Sequence, residues 1–182
     1  SNDMFTDQAT EPASAFPPNS SGAGIPDAVM LRGAITGLAI HNLPLVRQFQ
    51  PRLGELQTAN FIQPFGYVLV ATDGLHTIEL LAYMGGSWPP HWAFRTVGDN
   101  SELRATFPPS FVLAGSSRAE VTGAGSTKVF EFQTNGYQEE WEMLHAVAMD
   151  EAEPLVSLGE VIDDIVYALD LSDQVDRWLA EA

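Results

Sequence analysis

Gly33, Gly37 and His41, in the stretch GAITGLAIHNL, recur at intervals of four and share one stripe if the segment is helical. An imidazole changes charge near neutral pH, so a histidine at the edge of a groove can take or supply a proton. Two glycines beside it keep the surface low, at a cost on the order of 1 kcal/mol each against alanine in a helix. Either another helix packs closely there, or a flat ring lies against the stripe with the imidazole at its edge. A second cluster, SWPPHW, gathers Trp88, His91 and Trp92 around Pro89 and Pro90. It reads as the lining of an apolar pocket or as a plug at a sheet end, and the plug is the commoner use of such residues. His76 beside a turn and His145 on the polar side of a helix read as surface residues.

Other chemistries find no foothold. Gly22-Ala23-Gly24 and Gly123-Ala124-Gly125 lack the third glycine and the strand-before, helix-after setting of a dinucleotide fingerprint, and read as loop and hairpin glycines. The single lysine, Lys128, belongs to a predicted strand and to no phosphate-binding loop. No nucleophile elbow occurs, the four histidines fit no zinc spacing, and with no cysteine there is neither disulfide nor thiolate, so no metal site is expected.

Eight Lys and Arg against 24 Asp and Glu give a formal charge of −16. That balance disfavours nucleic acid and anionic membrane as partners. From Tyr137 to Ala182 thirteen residues are acidic and only Arg177 is basic, which predicts a solvated acidic face. No apolar run approaches membrane-spanning length, and a soluble, cytoplasmic protein is expected. Ser1-Asn2 ahead of Asp3-Met4 could be the remnant of a cleaved tag.

At 182 residues the chain suits one core. Residues 1–26, rich in Pro, Ser and Gly, predict an arm over the surface, and 27–182 one folded unit. Asp27 reads as the cap of a helix through His41 that Pro44 breaks, with Asn42 capping a short successor that Gly54 closes. LQTANFIQ, FGYVLVAT, LHTIELLAYM, HWAFRTVG, ELRATF and TKVFEFQT then read as strands, with Asp73-Gly74 as a tight hairpin. After Asn135-Gly136, Tyr137, Trp141, Leu144 and Ala148 form one helical stripe. Ser157 and Glu160 form a capping box before a last helix with Val161, Ile165, Ala168, Leu171 and Trp178 at amphipathic spacing. Helix, antiparallel strands and two helices predict an α+β fold, an open, predominantly antiparallel sheet with helices packed on one face. Leu75, Leu81 and Tyr83 share the parity opposite Ile78, Leu80 and Ala82, so the second face of that sheet is apolar and predicts self-association.

GAITGLAIHNLPLVRQF, HWAFRTVGDNSELRATFPP and NGYQEEWEMLHAVAMDEAEPLVSLGEVIDDIVYALDLSDQV together resemble the C-terminal domain of the glucose-fructose oxidoreductase/inositol dehydrogenase/MocA (Gfo/Idh/MocA) family of NAD(P)-dependent oxidoreductases. The resemblance implies a fold like the C-terminal domains of dihydrodipicolinate reductase and glyceraldehyde-3-phosphate dehydrogenase. It implies a separate N-terminal Rossmann domain, absent here, that binds NAD or NADP and carries a catalytic lysine. It also implies dimers or tetramers through face-to-face sheets. The family pattern Gly-x-x-x-Asp-x-x-x-His meets Gly33, Gly37 and His41, with glycine in place of the aspartate, and a further acidic position falls on Pro44. His41 is thereby implied as a proton-transfer residue beside substrate and nicotinamide, or as a substrate-contacting or structural residue. Gly33, Gly37, Trp88, His91 and Trp92 are the positions expected to face substrate or cofactor.

The resulting expectation is a substrate-binding and dimerisation domain of an oxidoreductase acting on a sugar or polyol-like hydroxyl compound, inactive by itself and holding no cofactor alone. The alternatives are a ligand-binding or oligomerisation protein of the same fold without catalysis, and an unrelated α+β module.

Overall fold

The computed structural model describes residues 26–62, 66–83, 92–108 and 116–181. The arm expected before Pro26 lies outside them, as do Trp88 and His91. In chain order the elements are α1 (Asp27–Gly37), a 3-10 turn (Ala39–His41), α2 (Leu43–Phe49), β1 (Glu55–Ile62), β2 (Gly66–Thr72), β3 (Thr77–Ala82), β4 (Trp92–Val97), β5 (Ser101–Phe107), β6 (Arg118–Gly123), β7 (Ser126–Glu131), α3 (Gly136–Ala148) and α4 (Leu158–Glu181). The fold is α+β with wholly antiparallel pairing, but the strands form two sheets, β1-β2-β3 and β4-β5-β6-β7, where a single sheet is expected from sequence. Two compact units result, one of residues 26–83 with 156–181, the other of residues 92–155.

In the first unit, Pro26 rather than Asp27 precedes the first helical turn, its carbonyl accepting from Val29 and Met30 N–H. Asp27 sits inside that turn, where a carboxylate suits the helix dipole. The expected single helix to His41 ends at Gly37 and tightens into the 3-10 turn. Pro44 in the first turn of α2 has no N–H to continue the ladder, and the axis bends by 69° there. Leu31, Ile35, Ala39, Leu43 and Val46 stay on one side through the bend and are buried.

Leu56 and Ala59 of β1 both point inward although they are three apart. A bulge between Leu56 and Thr58 inserts one residue and resets the alternation. Tyr67, Leu69 and Ala71 of β2 and Ile78 and Leu80 of β3 complete this inner face, and α4 closes it with Tyr167, Ala168, Leu171 and Val175. Gly54 is required where it stands. Its φ is +79° and a Cβ there would lie 2.4 Å from the Thr72 carbonyl carbon, so only glycine lets β1 begin so close to the end of β2. On the outer edge of β1, the Gln174 side chain accepts from Leu56 N–H at 2.8 Å and donates to the Gly54 carbonyl at 2.8 Å.

Polar contacts hold the helices together. Arg47 of α2 meets Asp164 at 2.5 Å and reaches the Glu160 carbonyl, Tyr167 Oη donates to the Gln50 carbonyl, and Arg32 of α1 pairs with Asp176 at 2.5 Å. The Asp164 carboxylate pushes the Arg47 guanidinium pKa up. Burial pushes the Tyr67 and Tyr167 phenols up to about 12.

Asp73-Gly74 does turn the chain, but the loop runs from Asp73 to His76 rather than through two residues. The Asp73 carboxylate accepts from Leu75 and His76 N–H at 2.9 and 2.7 Å, which stabilises the longer turn. The two-residue turn is instead Ala124-Gly125 between β6 and β7, both with positive φ.

In the second unit, a four-strand meander sets Trp92 opposite Phe107, Phe94 opposite Ala105, Leu103 opposite Val121 and Ala119 opposite Phe130, all on one face. The other face carries Arg95, Arg104 and Arg118 among Glu102, Glu120 and Glu131, with ion pairs Arg95–Glu102, Arg118–Glu120 and Arg118–Glu131. β6, not foreseen from sequence, sits in the middle of this meander. Asn135 caps α3 by accepting from Tyr137 N–H, yet α3 buries no residue, so its stripe of Tyr137, Trp141 and Leu144 is exposed.

Candidate functional site

The glycine stripe lies on the outer surface of the α1 layer. Leu31 and Ile35 take the inner side, and Gly33, Gly37 and His41 are exposed. Neither glycine is needed by the fold of the described residues. No positive φ is found at either, and a Cβ built at either would meet nothing within 4 Å among the described residues, where no neighbouring element packs closely. Of the two explanations for a low surface, the described structure provides no packing partner. The cost of about 1 kcal/mol per glycine is therefore left without a structural return.

The end of α1 positions the histidine. Leu38 breaks the α-helical ladder, the 3-10 turn follows with His41 N–H donating to the Leu38 carbonyl, and the bend at Pro44 directs α2 away. His41 thus stands on a corner rather than one turn further along a straight helix. Gly37, where the resemblance leads one to expect a carboxylate, supplies none. Trp92 belongs to the other unit, half-buried at the start of β4 opposite Phe107, as a member of the apolar sheet face. His76 is exposed beside Asp73 and His145 is exposed on α3, as expected. Among the described residues no group of three or more His, Asp or Glu side chains is placed to hold a metal ion.

A cleft of about 350 Å³ opens between the start of β1 and the end of α4, lined by Gly54, Glu55, Leu56, Gln174, Arg177, Trp178 and Glu181. It shares no residue with the glycine stripe. Trp178, which sequence spacing assigns to the buried side of α4, lines this cleft and is 36% exposed. The strand that meets α4 here cannot be read from the helix pattern alone, which is why the cleft has no sequence signal.

No protein-family model matches the sequence. No curated protein matches it either. Among solved structures, the chain is similar to one described as "putative oxidoreductase yvaA" from Bacillus subtilis, at 13% identity and a TM-score of 0.45, over 78% of this chain. The chain spans 49% of that protein's length. A likeness so slight supports no argument about activity. No single helix among the described residues is long and apolar enough to cross a membrane.

Proposed function

We propose that the chain is the substrate-binding and dimerisation part of an NAD(P)-dependent oxidoreductase acting on a sugar or polyol-like hydroxyl compound, working with a Rossmann domain carried elsewhere. The observation behind this reading is the open glycine stripe: two helix glycines that, among the described residues, serve neither packing nor backbone conformation, ending at an exposed histidine. Such a surface suits the approach of a flat ring. A bound nicotinamide would accept the hydride from the substrate carbon, while His41 takes the hydroxyl proton as the carbonyl forms. The outer face of the β1-β2-β3 sheet, with Val68, Leu81 and Tyr83 on one side, is the surface offered to a second copy; Leu81 is 72% exposed.

The test joins the chain to a Rossmann domain encoded upstream of it and measures turnover with sugar and polyol substrates. His41→Asn is expected to lower turnover by roughly two to four powers of ten with little loss of stability. Near-normal turnover removes His41 from the mechanism. The isolated chain is expected to bind NADH or NADPH weakly by calorimetry, since a charge of −16 opposes a dinucleotide, and micromolar binding contradicts this.

One observation favours a second reading, a ligand-binding or oligomerisation protein of the same fold without catalysis. Gly37 stands where the pattern of the resembled family has aspartate, so that position offers no carboxylate to hold substrate. An upstream reading frame without a dinucleotide fingerprint supports that alternative.

A further inference from the structure

Helix α4 is apolar on two sides, and the core uses only one. Tyr167, Ala168, Leu171 and Val175 are buried beneath it. At 3.6 residues per turn, Leu158, Ile162, Ile165, Val166 and Leu169 fall on a different side, and all five are exposed, Leu158 by 77% and Ile162 by 51%. The stripe occupies the first three turns, directly after the capping box of Ser157 and Glu160. Beside it on the wheel stand Asp163 and Asp170, and Asp173 continues the line of the row one turn beyond Leu169. Among the described residues Asp170 and Asp173 have no ion-pair partner, whereas Asp163, Asp164 and Asp176 meet arginines of α1 and α2.

We propose that this side of α4 docks an amphipathic helix of another polypeptide whose apolar stripe is flanked by lysine or arginine. Charge selects the occupant. An apolar row bordered by unpaired carboxylates complements an apolar row bordered by cations, and packing such a helix alongside would pair Asp170 and Asp173 while removing the row from water. A second copy of α4 would bring a like carboxylate border, and each chain carries −16. The chain's own α3 holds Glu139, Glu140 and Glu142 and no lysine or arginine.

The test titrates the full chain with three labelled 18-residue peptides by fluorescence anisotropy: a leucine stripe with lysine borders, the same stripe with glutamate borders, and a scramble of the lysine peptide lacking the stripe. The lysine-bordered peptide is expected to bind, to weaken on going from low to physiological salt, and to lose at least about tenfold in affinity against Ile165→Glu, an exposed position whose change leaves the core intact. Val97→Glu, an exposed residue of β4 with no place in the row or in the outer face of the β1-β2-β3 sheet, should leave binding unchanged. Equal binding to wild type and Ile165→Glu overturns the proposal, as does equal binding of the scramble, which would show attraction by charge alone. Sedimentation showing self-association that Ile165→Glu abolishes would assign the stripe to a second copy and likewise overturn it.

Discussion

The two units spend their apolar residues differently. Every buried apolar residue among those described belongs to the unit of α1, α2, α4 and the β1-β2-β3 sheet, whereas the unit of residues 92–155 has none, although Trp92, Phe94, Leu103, Phe107 and Phe130 share one face of its sheet. The strands and helices described are therefore not equivalent contributions to stability. The first unit is held by burial beneath three helices. The second is held, as described, by its strand ladder, cross-strand ion pairs and turns.

Mutation at matched chemistry separates them most sharply. Leu171→Ala, at a side chain 1% exposed, should cost about 2–5 kcal/mol in urea unfolding, while Phe130→Ala, 48% exposed, should cost under about 1 kcal/mol. Equal losses would show that the sheet unit is covered in solution by something that buries Phe130. Next come the glycines. Gly54→Ala forces a Cβ onto the Thr72 backbone at positive φ and should destabilise by more than about 1 kcal/mol. Gly33→Ala enters open space in a helix and should stabilise by roughly 0.5–1 kcal/mol, while lowering turnover if a ring approaches there. A Gly33→Ala variant that is both more stable and fully active would remove the functional meaning of the stripe.

Smaller still is Ser172→Ala. The Ser172 hydroxyl is fully buried and has no hydrogen-bond partner among the described residues, so removing it should raise stability by about 1 kcal/mol, read as a higher urea midpoint at unchanged slope. The least expected effect is at Asp73. Backbone N–H groups of His76 and Leu75 hold its carboxyl at about 2, below an ordinary value of 3.8. A depressed carboxyl contributes stability above the unfolded value and loses it as pH falls through the folded one. Asp73→Asn should therefore flatten the acid limb between about pH 4 and 2, followed by circular dichroism; an unchanged limb would assign acid sensitivity elsewhere.

What the sequence announced was mostly local. The capping box at Ser157 and Glu160 is settled within a few residues and forms as read. The parity of Ile78 and Leu80 against Leu81 and Tyr83 also emerged as buried against exposed. What failed to show was decided at a distance. β6 alternates Ala119 and Val121 with Arg118 and Glu120, too weak a pattern to stand out until β5 and β7 flank it. The spacing of Val161, Ile165, Ala168 and Leu171 reads as one helix face, yet Ala168 and Leu171 are buried and Val161 and Ile165 are not. Periodicity reports that a residue is apolar, and only the packing of α1 and β1 chooses which side of α4 goes inward. Likewise GAITGLAIH advertises its glycine spacing, but that the stripe faces open space is a tertiary fact.

The Gln174 amide on β1 bears on how the protein survives at high concentration. An outermost strand offers unpaired N–H and carbonyl groups to any extended segment that drifts past, and such templating starts aggregates. By occupying the Leu56 N–H and the Gly54 carbonyl with one side chain, α4 imitates the strand that would otherwise add there. Beside it, the bulge skews the edge away from a flat template. Replacing Gln174 with alanine would leave the fold's own strands paired and expose that edge to foreign ones.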